Sequence, residues 1–102
     1  MSKEVEIYRV GETLDASTSN REQEAILVLM EKNKSIAIDL SGCTYVSSAG
    51  LRVLLYSYKI AHSKNLQLYL IGVCNEVRDV MRMTGFEKFF SFYNTVEECI
   101  NH

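Results

Sequence analysis

The sequence predicts an α/β domain with a mostly parallel sheet of four to five strands and about four helices. Segments with the composition of strands alternate along the chain with segments of helical periodicity, and this alternation is typical of parallel sheets with right-handed crossovers. The 102 residues suffice for one hydrophobic core but not two, and the 47% apolar and 24% charged composition is globular. We therefore expect residues 1–102 to form a single domain.

Four segments have the composition of strands: Glu4–Val10, Ser35–Leu40, Leu66–Val73 and Phe89–Tyr93. The first alternates polar and apolar residues, which is typical of a strand with one solvated face. The second and third are nearly continuous apolar runs, which indicate central strands covered on both faces. Because residues 11–15 break the first pattern, we expect only one strand before the first helix.

The first helix is predicted to run from around Ala16 or Ser19 to Lys32. Ser19 and Glu22 have the spacing of a capping box, with Asp15 as the alternative N-cap. The inward-facing stripe of this helix comprises Ile26, Leu29 and Met30.

The second helix is predicted from Ala49 to about Lys64, with the serine before it as the N-cap. Its apolar residues recur at helical spacing and form a core stripe. That stripe comprises Leu51, Leu54, Leu55, Tyr58 and His62.

Two shorter helices follow in the C-terminal third. Asn75 is the expected N-cap of the first, and Gly85 has the place of the left-handed residue that ends it. Thr95 and Glu98 form a second capping box, which predicts that a terminal helix begins there.

Charge and composition argue against several classes of function. The net charge is −2 and the basic residues are spread along the chain, so no concentrated basic face for nucleic acid is expected. No apolar run is long enough to cross a membrane and the N-terminus has no signal core, so we expect a cytoplasmic protein. Three widely spaced cysteines, Cys43, Cys74 and Cys99, predict reduced thiols.

The sequence also gives no sign of a cofactor or of catalysis. Nucleotide-binding motifs of the G-x-x-x-x-G-K-[ST] and G-x-G-x-x-G types are absent. A hydrolase with Ser48 as nucleophile is disfavoured, because Val46 occupies the place of the glycine in a nucleophile elbow. His62 would lie ~20 Å from Ser48 along the same helix. We expect no enzyme, no cofactor and no metal.

The run Tyr45–Leu51 carries the most informative pattern. Gly50 lies in the first turn of a helix, where glycine costs up to about 1 kcal/mol relative to alanine, so we expect something to approach its backbone closely. The serines before it are, on local pattern alone, an ordinary N-cap. A hydroxyl there is also a place where a covalent phosphate would be favoured by the unpaired N–H groups and the helix dipole.

Three stretches resemble the STAS domain of bacterial anti-sigma factor antagonists. They are residues 36–42 (IAIDLSG), residues 45–55 (YVSSAGLRVLL) and residues 11–16 (GETLDA). The last is similar to the glycine–x–leucine–aspartate loop before the family's first helix. The resemblance extends over essentially the whole chain. The first two stretches form one motif and the last forms another, and the occurrence of both motifs together is more specific than either motif alone.

The resemblance implies that the chain binds an anti-sigma factor that is also a serine kinase. That partner would phosphorylate Ser48 and so break the complex, and a serine phosphatase would reset it. The family has an aspartate before the target serine, whereas this chain has Ser47, which is therefore an alternative target. Asp15 matches the loop aspartate near the phosphorylation site. The family also has two strands before its first helix, so the expected single strand leaves the sheet edge and the oligomeric state open.

Arg52, Tyr56 and Lys59 recur on the face of the second helix opposite its core stripe and are the expected docking surface. The residues predicted to bind the partner are Asp15, Ser47, Ser48, Gly50, Arg52, Tyr56 and Lys59. Two alternatives remain open besides the antagonist. One is a constitutive adaptor in a lipid-transport or stress-sensing complex, and the other is a small enzyme.

Overall fold

The computed structural model describes residues 4–101. The strands are β1 (Val5–Arg9), β2 (Thr13–Leu14), β3 (Ser35–Asp39), β4 (Tyr45–Val46), β5 (Leu68–Ile71) and β6 (Ser91–Tyr93). The helices are α1 (Ser19–Met30), α2 (Ser48–Ser63), α3 (Asn75–Thr84) and α4 (Val96–Asn101), with a 3-10 turn at Phe86–Phe89.

Four strands form a fully parallel sheet in the order β1-β3-β5-β6. One face packs Ile36, Ile38 and Leu70 into the main core with α1, α2 and α3. The other face packs Ala37 and neighbouring strand residues against α4 through Cys99. Both faces of the central strands are covered, as their continuous apolar runs predict. The α/β class, the four-stranded parallel sheet and the four helices are confirmed.

The expectation of a single strand before the first helix is wrong. Residues 13–14 form β2, which pairs in parallel with β4 in a separate two-stranded ribbon. Leu14 is fully buried there. A two-residue strand is too short to show any periodicity. It pairs with residues that lie 32 positions further along the chain, and the local sequence does not indicate that pairing.

The predicted capping box at the start of the first helix is also wrong. The N-cap is Thr18, and its side chain makes no capping hydrogen bond. Glu22 instead turns inward, where it is only 3% exposed. Its carboxylate accepts hydrogen bonds from the Tyr8 hydroxyl and from the Gly11 backbone N–H. The local pattern assigned the Glu22 side chain to the helix cap, but in the structure it binds Tyr8 and Gly11 instead.

The remaining ends follow local signals more closely. Gly85 has a φ of 79° and ends α3 as predicted. At α4 the Thr95 hydroxyl accepts from the Glu98 N–H, which confirms Thr95 as the N-cap, whereas the Glu98 carboxylate accepts from the Asn94 N–H and not from the N–H of Thr95. Asn75, however, is the first residue of α3 and not its cap, which is Cys74.

Two further details differ from expectation. His62 is exposed and stacks on Tyr58, so it is not part of the core stripe. The last sheet strand is shorter than predicted, because Phe86–Phe89 forms a 3-10 turn. Within the described residues, none of the helices has the length and apolar composition needed to cross a bilayer.

The bond between Tyr8 and Glu22 gives a testable stability effect. Burial, together with the Glu22 carboxylate, raises the pKa of Tyr8 to about 12, whereas an unfolded tyrosine titrates near ~10. The stabilisation is therefore complete below about pH 10 and is lost as the pH rises towards 12. Tyr8→Phe should lower the free energy of unfolding at pH 7 by about 1–3 kcal/mol, because the buried carboxylate loses a donor.

Urea unfolding between pH 7 and 11.5 measures this effect. Tyr8→Phe should also lose part of the alkaline destabilisation that the wild-type chain shows. Tyr56→Phe is the matched control, since the Tyr56 side chain is 44% exposed. Equal stabilities for Tyr8→Phe and Tyr56→Phe at neutral pH would contradict the interpretation.

Candidate functional site

Helix α2 begins one residue earlier than predicted, with Ser47 as its N-cap. The Ser47 hydroxyl oxygen accepts from the Gly50 N–H at 3.4 Å, and its backbone is extended. Ser48 is consequently the first helical residue, and it is exposed. Within residues 4–101 no hydrogen bond engages the Ser48 hydroxyl. One serine therefore holds the helix, and the next presents a free hydroxyl.

Gly50 allows the first turn of α2 to rest on the backbone of β2. A Cβ at this position would lie 2.1 Å from the Leu14 carbonyl oxygen. The same oxygen accepts a hydrogen bond from the Ser47 N–H at 3.0 Å. No side chain fits this gap, so the expected close approach at Gly50 has its physical explanation in Leu14.

Asp15 follows Leu14 directly and organises the loop into α1. Its carboxylate oxygen Oδ1 accepts from the Ser17 hydroxyl at 2.6 Å, the Ser17 N–H at 2.9 Å and the Thr18 N–H at 3.2 Å. The Ser17 hydroxyl is the main reason that the pKa of Asp15 lies below its usual range. Asp15 is thus a fixed anion that directly follows Leu14, the residue whose carbonyl contacts the first turn of α2. Its hydrogen bonds order the residues just before α1, but the N-cap of that helix is Thr18 and not Asp15.

Arg52, Tyr56 and Lys59 are exposed along one face of α2, as expected. Together with Gln23 and Leu55 they line an open groove of about 330 Å³ between α1 and α2. Ser48 precedes Arg52 by four residues and therefore lies one turn from the groove. The structure thus brings together the three residues that were predicted to dock a partner.

Two residues of this groove were not anticipated. Leu55 was assigned to the core stripe, yet it is only half-buried and lines the groove. Gln23 gave no signal, since the sequence does not say which face of α1 lies beside α2.

The residues that line the groove include two cations, Arg52 and Lys59, and no carboxylate. Helix α2 contains Arg52 and Lys59 but no aspartate or glutamate. Within the described residues neither cation forms an ion pair, whereas Lys32 and Lys34, in the connection between α1 and β3, are paired with glutamates. These two charges are therefore available to a partner.

The residues suggested for acid–base or nucleophilic chemistry are not assembled into a site. The Asp39 carboxylate, at the end of β3, accepts a hydrogen bond from the Ser41 N–H at 2.9 Å. His62 lies near the far end of the helix that Ser48 begins, ~21 Å along its axis. Among residues 4–101 no three histidine, cysteine or carboxylate side chains are grouped as metal ligands would be.

The contact at Gly50 predicts a strong effect of one methyl group. Gly50→Ala should destabilise the fold by about 3 kcal/mol, because the new Cβ collides with a backbone carbonyl that cannot move without breaking the β2–β4 ribbon. Gly11→Ala is the matched control, since a Cβ there meets nothing within 4 Å. Thermal and urea unfolding measure both variants. A Gly50→Ala chain as stable as Gly11→Ala would contradict the contact.

Comparisons with known proteins agree with this architecture. Residues 2–99 match the family model of the STAS domain. The anti-sigma-B factor antagonist of Listeria monocytogenes is 27% identical over 95 residues, which cover 92% of this chain and 82% of that protein. BtrV of Bordetella bronchiseptica, assigned to the anti-sigma factor antagonists, is 30% identical over 85% of this chain and 75% of its own length.

Among solved structures, the anti-sigma factor antagonist SpoIIAA in its unphosphorylated form superimposes with a TM-score of 0.79 at 18% identity. The match covers 97% of this chain and 87% of that one and shows a shared fold. The family model spans nearly the whole chain. This chain belongs to the STAS domain family.

Proposed function

We propose that this chain is an anti-sigma factor antagonist whose release is controlled by phosphorylation of Ser48. It binds an anti-sigma factor that is also a serine kinase, and so frees a sigma factor for transcription in the cytoplasm. The kinase phosphorylates Ser48 and the complex dissociates, and a serine phosphatase restores the binding form. The observation that carries the proposal is the exposed, unengaged Ser48 hydroxyl beside a docking groove, in a chain whose relatives are antagonists.

Ser48 is favoured over Ser47 as the phosphorylated residue. Ser47 is half-buried and its hydroxyl accepts from the Gly50 N–H, so modification there would remove the cap of α2. Loss of such a cap costs roughly 0.5–2 kcal/mol. Serine and aspartate are both good N-caps, so Ser47 can replace the family's aspartate in this structural role.

A phosphate on Ser48 would leave the fold intact and disfavour the complex. It would lie in the first turn of α2, where the helix dipole and the unpaired N–H groups favour an anion. It would add about −1.5 to −2 charges at neutral pH at an exposed point. Facing a desolvated partner surface, such a charge can cost ~4 kcal/mol, which is roughly a thousandfold in affinity.

A STAS adaptor without a switch is the second candidate. This candidate is favoured because Ser47 replaces the aspartate that precedes the target serine in the family. A kinase that requires this aspartate for recognition would not phosphorylate this chain. Such an adaptor would keep the docking groove and lose only the modification.

Incubation with ATP and the anti-sigma factor kinase of the same organism tests the switch. The chain should gain about 80 Da, the mass of one phosphoryl group, and lose the partner in a pull-down. Ser48→Ala should abolish the mass gain and retain binding, and Ser48→Asp should weaken binding.

Ser47→Ala serves as the matched control, since it removes the neighbouring hydroxyl and should still be phosphorylated. Modification at Ser48 without loss of affinity would refute the gating. A stable complex that is never phosphorylated would favour the adaptor.

A further inference from the structure

The groove between α1 and α2 identifies the chemistry of the partner segment that fits it. Its centre is formed by Leu55 and by Tyr56, which is 44% exposed, and its two ends carry Arg52 and Lys59. The chain as a whole has a net charge of −2, so this positive, partly apolar strip differs from the average surface. Charge complementarity therefore points to an acidic occupant.

We propose that this groove binds an acidic segment of the protein partner, and that a phosphate on Ser48 competes with that segment for Arg52. The inference rests on the proposed function and names the partner chemistry and the regulation of the same surface. Arg52 is the shared residue, because it lies one helical turn from Ser48 on one side and lines the groove on the other.

The spacing of the cations defines the segment more closely. Arg52 and Lys59 are seven residues apart, which is about 10 Å along the helix axis. The matching segment has two carboxylates separated by about that distance, with an apolar side chain between them to cover Tyr56 and Leu55. A helix with acidic residues at i and i+7 and a leucine at i+3 or i+4 satisfies this pattern.

The competition follows from the direction of the helix. A negative group that precedes a positive one by four residues is the favourable arrangement of an ion pair on a helix. Phosphoserine at position 48 is therefore placed to attract the Arg52 guanidinium. It then acts twice on the complex, by adding charge at the interface and by taking a cation from the groove.

Binding measurements against the anti-sigma factor of the same organism test the occupant. Arg52→Gln and Lys59→Gln should each weaken binding about three- to tenfold at low ionic strength and reduce the salt dependence of Kd. Lys64→Gln is the control, because it removes the same charge from the C-cap of α2, where Lys64 is not among the residues that line the groove.

The outcomes separate this inference from the proposed function. If the wild-type chain binds no anti-sigma factor, the proposed function fails and the groove inference falls with it. If the wild-type chain binds and all three variants bind equally well, the proposed function survives and the acidic occupant is wrong. A loss confined to Arg52→Gln and Lys59→Gln supports the inference.

The competition can be tested without any partner. Phosphoserine is incorporated at position 48 during translation, and the second pKa of the phosphate is followed by ³¹P NMR. Pairing with Arg52 should lower that pKa, so Arg52→Gln should raise it by about 0.3 unit, the size expected for one exposed pair on a helix. Lys64→Gln should leave it unchanged. An identical phosphate pKa in the Arg52→Gln and parent chains would overturn the competition.

Discussion

The contact between the Leu14 carbonyl and the first turn of α2 is the constraint on which the site depends. One oxygen accepts the Ser47 N–H and fills the space that any side chain at position 50 would need. It thereby joins the β2–β4 ribbon, the loop of Asp15 and the start of α2 into one unit. Because backbone atoms make this contact, the position of the first turn of α2, and therefore of the Ser48 backbone, does not depend on side-chain rotamers.

This arrangement separates two roles that adjacent serines could share. The Ser47 hydroxyl caps the start of α2, and Ser48 remains exposed. A chemical change at Ser48 therefore removes no hydrogen bond of the described fold. Asp15 likewise uses its carboxylate on Ser17 and Thr18, so the negative charge beside the site is held by its own loop.

The sequence predicts what local interactions determine. The central strands, the four helices, Gly85 and the Thr95 N-cap all carry signals within a few residues of themselves, and so do Ser48 and Gly50 at the site. Three of the errors have one common cause. The strand β2, the inward turn of Glu22 and the groove position of Gln23 depend on residues far away in the chain, and a single sequence does not reveal such contacts.

A switch at the first turn of a helix is thermodynamically consistent with a folded chain in both states. Under the proposed switch, a phosphate on Ser48 would be stabilised by the helix dipole and by a cation one turn further on, so the modification would not act by unfolding the domain. A ligand shifts an equilibrium only by its different affinities for two states, and in the proposed switch the phosphorylated and unphosphorylated chains would share one backbone. The difference in affinity would then arise in the complex, where the charge of the phosphate would face a partner surface that is complementary to the exposed Ser48 hydroxyl and the unpaired Arg52. The proposed switch therefore depends on the electrostatics of α2 and needs no rearrangement of the sheet.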